Sequence, residues 1–174
     1  MASPNAAGAI LRRLAEGTRA PALDVYGPII EFVTPEDNDQ ICVMRGVIPP
    51  GVTVPLHSHD DFEDFFVLAG GHEVLVEGDG GLEWRDANPG DYIRLPGNVP
   101  HAHRNLSQEP AVDLIITTGR MGRFFREVGR PIDSPQPTAQ NVARFAEIAA
   151  RYGYRLATPE ENAAVGIWLP TFTG

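Results

Sequence analysis

Between residues 22 and 118 the chain alternates short apolar runs with turn-forming residues, and it does so at strand length. The runs cover 22–26, 29–34, 41–48, 52–57, 63–68, 72–77, 82–85, 92–95, 101–106 and 111–118. They are rich in β-branched, aliphatic and aromatic residues and are bounded by Gly, Pro, Asn or Asp, as strands separated by tight turns are. Gly70-Gly71 and Gly78-Asp79-Gly80-Gly81 tolerate positive φ and predict hairpins or a meander between antiparallel neighbours. Strands this closely spaced, with no helix between them, predict a sandwich or closed barrel rather than βαβ units. Outside this centre the period changes. Ile10, Leu11 and Leu14 predict a short amphipathic helix within Asn5 to Glu16. After Gly119 a turn or short helix is expected over 121–128, and a longer helix over 139–152 with Val142, Phe145, Ile148 and Ala149 on one face and Gly153 as its stop. Pro131, Pro135 and Pro137 mark an extended linker between them. The tail from Pro159 to Gly174 mixes a helical turn with the apolar Ile167-Trp168-Leu169, expected to pack on the barrel or on a partner.

Composition narrows this picture. At 174 residues and 43% hydrophobic content, one well-filled core is expected. The chain reads as a single domain over 1–174, with a core barrel at about 22–118 and a helical extension at about 119–174. A formal charge of −9 argues against a phosphate-backbone partner, which requires a basic patch. There is no Lys anywhere, which excludes Schiff-base chemistry and any phosphate loop ending in Gly-Lys. Cys42 is the single cysteine, so neither an intrachain disulfide nor a thiolate cluster can form, and a reducing compartment fits. Ala6 to Leu11, followed by Arg12 and Arg13, is too short and in the wrong order for a secretory signal, and no run approaches a membrane span. A cytoplasmic location, with neither nucleic acid nor membrane as partner, is the expectation.

The chemistry gathers in two stretches. The first, Gly51 to Gly70, reads GVTVPLHSHDDFEDFFVLAG. His57 and His59 are one residue apart, so both imidazoles face the same way if the segment is extended. A turn through Asp60 to Phe62 can return Glu63 toward them, giving the mixed nitrogen and oxygen ligation that suits a borderline divalent ion. The second, Gly90 to Asn105, reads GDYIRLPGNVPHAHRN, where Pro96, Gly97, Asn98 and Pro100 form a rigid turn that delivers His101 onto a new strand. Spacing alone does not say whether His101 meets the first three residues.

These stretches resemble the paired motifs of the cupin superfamily. Gly51, His57, His59, Glu63 and Gly70 fit the first motif, and Gly90, Pro96, His101 and Asn105 fit the second. Asn98 stands where the family has Gly; Asn is the best non-Gly tolerator of a left-handed backbone, so the turn is expected to survive. The resemblance implies an all-β fold, the cupin double-stranded β-helix or jelly-roll barrel, here with a short N-terminal helix and a C-terminal helical segment. It also implies one divalent transition metal (iron, manganese, nickel, cobalt, copper or zinc) held by His57, His59, Glu63 and His101. Such an ion keeps one or two open positions for water, substrate or dioxygen, and Glu63 is the candidate general base. The run GRMGRFFREVGRPI and the helix after it are similar to bacterial single-domain cupins of the flavonol (quercetin) dioxygenase-like type. That similarity ranks a small aromatic or enolisable substrate above a sugar. Three functions follow: a dioxygenase, a zinc-type isomerase or cyclase, and a non-catalytic metabolite binder. A homodimer is expected, as barrels of this kind often pair through exposed edges.

Other residues carry weaker readings. His103 shares parity with His101 and reads either as a substrate contact or as a histidine filling the barrel. Phe65, in parity with Glu63, reads as an aromatic pocket wall or as plain core. His72, beside Gly71, is expected on an exposed hairpin. Phe124 and Phe125 are candidates to close a barrel mouth, and Arg120, Arg123, Arg126 and Arg130 read as a solvated face.

Overall fold

Alternating burial is the rule in the strands of the protein, a computed structural model of which describes residues 11–14, 17–18, 20–36 and 39–171. The N-terminal helix expected within Asn5 to Glu16 lies largely outside the described residues. In chain order the elements are β1 (Leu23–Asp24), β2 (Ile29–Phe32), β3 (Ile41–Ile48), β4 (Thr53–Ser58), β5 (Glu63–Ala69), β6 (His72–Gly78), β7 (Gly81–Ala87), β8 (Tyr92–Leu95), β9 (His101–Arg104), β10 (Ala111–Thr118), α1 (Gly119–Val128), β11 (Arg130–Pro131), α2 (Ala139–Arg151), β12 (Arg155–Leu156) and α3 (Pro159–Ala164). Each of the ten expected runs overlaps a strand.

The strands sort into two antiparallel sheets. One has the order β11-β1-β2-β3-β10-β5-β8 and the other β12-β4-β9-β6-β7. Facing side chains of both sheets form the core: Ile30, Cys42, Met44, Phe65, Leu95 and Ile115 make a buried cluster, against which Val76 of the other sheet packs. A second cluster, Leu56, Leu75, Ala102 and Ile167, covers the outer face of the five-stranded sheet with the C-terminal tail. The helices α1 and α2 share a third cluster, made of Phe124, Val128, Ile148 and Ala149. In the tail, Ile167 is buried while its neighbour Trp168 is exposed.

Two of the expected turns behave differently. Gly78 pairs with Gly81 across a true hairpin between β6 and β7. Gly70-Gly71 is instead a corner between the sheets, since β5 and β6 are not partners. Gly70 has φ +65°, and a Cβ there would lie 2.2 Å from the Pro110 carbonyl oxygen, so only glycine fits. This corner also corrects the reading of His72. As the first residue of β6 it faces the barrel interior and is 5% exposed, not set on a surface hairpin.

Candidate metal centre

β4 carries an irregularity that aims the site. Its register with β9 pairs Val54 with His103 and His57 with His101, so β4 has one extra residue between the two pairs. Such a bulge shifts the side-chain parity. Val54, Leu56 and His57 all border the cavity, and Leu56 packs in the outer cluster as well. Pro55 sits in this bulge, where its missing N–H costs no ladder bond. The Leu56 N–H, left over by the bulge, donates to Asn162 Oδ1 of α3 at 2.9 Å. The second stretch arrives through Asn98, which has φ +66°, and its N–H donates to the His59 carbonyl at 2.6 Å. The left-handed turn expected at Asn98 is thus present and ties the two stretches together.

The structure brings His57, His59, Glu63 and His101 to one place. The ligating nitrogens of the three imidazoles lie within 4.8 Å of one another. Glu63 Oε2 is 3.2 Å from His59 Nε2 and 3.4 Å from His101 Nε2. Every imidazole in the group spends its Nδ1 on a carbonyl, an acceptor only: His57 on Pro55 at 2.7 Å, His59 on Asp61 at 2.7 Å and His101 on Val99 at 2.8 Å. The protons are therefore on Nδ1, and each Nε2 is left with its lone pair. His101 Nε2 is buried and has no hydrogen-bond partner. A carboxylate oxygen facing two such lone pairs calls for a positive charge between them, and a divalent cation satisfies all the donors at once. The residues present fit the metal, and the His57, His59 and His101 cluster can hold one.

Electrostatics agree with this picture at His57 and Glu63 and pull the other way at His59. Burial, helped by the neighbouring His101 and His59, pushes His57 down to about 3, which keeps it neutral. Burial alone would raise Glu63, but its contacts with His101 and His59 prevail and hold it well below the usual carboxylate range. Burial also opposes charge on His59, and there the Glu63 carboxylate and Asp61 outweigh it and raise the group.

Against His57, His59 and Glu63 lies a cavity of about 430 Å³, within the range of small-molecule sites. Its walls are mainly apolar, with Phe65, Phe124, Phe125 and Phe145 among them, and no Arg is among the described residues that line it. Phe65 is thus both core and wall, its ring 4.8 Å from that of His103. His103, 4% exposed, lines the cavity without joining the quartet.

Four further residues matter that the sequence reading missed or misjudged. Tyr154, just before β12, places its ring 4.8 Å from that of His59 and stacks on Phe124 at 4.1 Å. Its hydroxyl is buried without a partner. Burial, reinforced by the Glu63 and Asp61 charges, raises this phenol well above its ordinary range. No sequence motif marks it, because the tail delivers it by pairing β12 with β4, Leu156 opposite His57. Arg120, though its side chain stays 37% exposed, also binds Asp61 Oδ2 at 2.8 Å and the Tyr152 carbonyl at 2.5 Å. Its companions are also engaged, Arg123 with Asp39, Arg130 with Asp24, and Arg126 over the Phe32 ring. Asp61 serves as a hub, since its carbonyl orients His59 while its carboxylate takes Arg120 and the Thr118 hydroxyl. Asp113 is the fourth, 1% exposed on the cavity wall. A lone acid at inward parity in the apolar run AVDLIITT was its signal.

The model of the cupin domain matches residues 44–117. The chain is similar to the dimethylsulfoniopropionate lyase DddQ of Ruegeria pomeroyi, 33% identical over 85 residues, which are 49% of this chain and 40% of that protein. It is also similar to the quercetin 2,3-dioxygenase of Bacillus subtilis, 26% identical over 113 residues, 64% of this chain and 32% of that one. The chain thus spans well under half the length of either curated relative. Among solved structures, an RmlC-like cupin from Shewanella frigidimarina superposes with a TM-score of 0.50 at 16% identity, covering 58% of this chain and 85% of that one. That likeness concerns the fold alone.

Proposed function

With residues 44–117 belonging to the cupin family, we propose that the whole chain is a single-domain metal-dependent cupin acting as a dioxygenase on a small aromatic or enolisable compound. His57, His59, Glu63 and His101 hold its one divalent transition metal in this reading, and the homodimer expected from the sequence belongs to the same proposal. The observation that carries it is the juxtaposition of three clustered imidazoles and Glu63 with an apolar cavity of about 430 Å³ walled by phenylalanines. A bound divalent ion supplies Lewis acidity to a chelated hydroxyl or enol and, where it is redox-active, electron transfer to dioxygen.

The side chains do the rest. Glu63, kept ionised at neutral pH, takes the proton from the chelating oxygen. Tyr154, kept protonated by its surroundings, offers a hydrogen bond from the opposite wall beside His59. The phenylalanines exclude water and hold a flat ligand body. The relation to a quercetin dioxygenase supports this substrate class.

A second reading is an oxygen-independent proton-transfer reaction, an isomerisation, cyclisation or elimination. The unpartnered Tyr154 hydroxyl favours it, since Glu63 and Tyr154 together make a base and an acid, and the lyase relative supports it. One experiment separates the readings. Protein loaded in turn with each candidate metal is given flavonols, catechols and diketones in an oxygen electrode. The dioxygenase reading expects uptake matched to product with at least one metal. Conversion that proceeds equally well without oxygen transfers the site to the second reading, and intact recovery of every compound removes both.

A further inference from the structure

The cavity has a second polar corner that the quartet leaves unused. His103 on β9, His72 on β6 and Asp113 on β10 meet across the interior from opposite sheets. His103 Nδ1 lies 3.2 Å from His72 Nε2, and His72 Nδ1 lies 3.7 Å from Asp113 Oδ2. The three are 4%, 5% and 1% exposed. At the free ends of this chain, His103 Nε2 and Asp113 Oδ1 are buried without any hydrogen-bond partner. A third orphan, His72 Nδ1, lies inside the cluster facing Asp113, whereas His103 and Asp113 line the cavity, so theirs are the unpaired atoms that border the open space. Buried polar groups are normally satisfied, and two orphans beside one cavity point to what the cavity receives.

We infer that His103 and Asp113, backed by His72, form a polar subsite that takes an uncharged hydroxyl of the substrate distinct from its metal-chelating oxygens. This rests on the reading of the cavity as the substrate site and specifies what that substrate carries. The chemistry selects a hydroxyl. The bond between the two imidazoles couples their tautomers. When His103 donates from Nδ1, its Nε2 accepts; when His72 donates, His103 Nε2 carries the proton and donates. A hydroxyl, at once donor and acceptor, meets either state, and a carbonyl meets only one. A carboxylate or phosphate would need a cation, and no Arg is among the described residues of the lining. The Phe65 ring against His103 places this hydroxyl at the edge of an aromatic body. The His101 and His103 rings are 5.9 Å apart, so the subsite lies beside the metal ligands, two residues further along β9.

The test uses zinc-loaded full-length protein, which binds without redox turnover, and calorimetric titration with a naphthalene ortho-diol and a set of triols. The triols share the diol and differ in where a third hydroxyl sits on the distal ring. At least one triol is expected to bind about tenfold more tightly than the diol. In His103→Phe that ratio falls to about one, and in His103→Gln, which keeps a polar atom at the Nε2 position, it returns. A merely structural role for the cluster would lower stability in both variants and leave the ratio untouched. Metal-loaded wild type that prefers no triol, or a preference that survives His103→Phe, overturns the subsite and leaves the metal reading standing. Wild-type protein that takes up no zinc by elemental analysis overturns both together.

Discussion

His72 and Asp113 show how one buried contact can make two opposite demands on pH. Burial raises Asp113 from 3.8 to about 7, so between these values the folded chain keeps a proton that the unfolded chain has lost. Its contribution to stability therefore falls as pH rises through that window. Burial lowers His72 from 6.5 to about 4, so there the unfolded chain holds the extra proton. Its contribution rises with pH, is complete above 6.5 and is lost as pH falls through 4. The two nearly cancel in the wild type. Asp113→Asn removes the first demand, and its stability is expected to climb relative to wild type between pH about 4 and 7, by a difference on the order of 3 kcal/mol. His72→Phe is expected to drift the other way. Urea titrations at a series of pH values check both, and parallel curves for all three proteins would show that neither group changes its protonation on folding. Sequence made part of this visible. Parity along β9 put His103 on the side of His101, but His72 was misplaced because a Gly-Gly pair reads the same at a hairpin and at a corner between sheets. Which one it forms depends on the close approach of Pro110, forty residues away in sequence.

At the level of elements, the bulge in β4 is the device that turns a strand into a ligand platform, and α3 keeps it in place. Asn162 is fully buried, accepts from the Leu56 N–H at 2.9 Å and donates to the carbonyls of Ala157 and Thr158 at 3.2 and 3.0 Å. Leu156 pairs with His57 beside it. Asn162→Ala leaves a buried backbone donor without a partner, and it should cost about 2–3 kcal/mol. Because the same donor sits next to His57 in the chain, the variant should also bind metal about tenfold more weakly. Chemical denaturation and a competitive metal titration measure the two effects. Loss of stability with full metal affinity would mean that the bulge holds its shape without α3. None of this was legible beforehand: the strand was evident from VTVPLH, but a bulge conserves the apolar and polar composition of its strand and changes only the facing. The helices of the extension were legible from their period, since the regular spacing of Phe145, Ile148 and Ala149 needs no tertiary information. Their task was not, because Tyr154 and Arg120 act on a site whose other members lie far upstream.

Across the whole molecule, the order β11-β1-β2-β3-β10-β5-β8 joins strands that are distant in sequence, which local patterning does not encode, and the paired motifs alone pointed to this barrel. The quartet depends on that order. His57 and His101 come from the five-stranded sheet, Glu63 from the seven-stranded one, and His59 from the connection between them. A single ion bound to all four would clamp the sheets together at the rim of a cavity that otherwise forfeits packing contacts. Such an ion has no preformed site in the unfolded chain, so binding adds directly to folding stability. At a metal concentration a hundredfold above Kd this amounts to about 2.7 kcal/mol, or a rise in Tm of roughly 5–10 °C for a chain of this size. His101→Ala removes one donor from the sheet-to-sheet clamp and should melt at the same temperature with and without the metal. A chelator should bring the loaded wild type down by the full increment. A wild-type Tm indifferent to both metal and chelator would be incompatible with four donors sharing one cation, whatever the cavity holds.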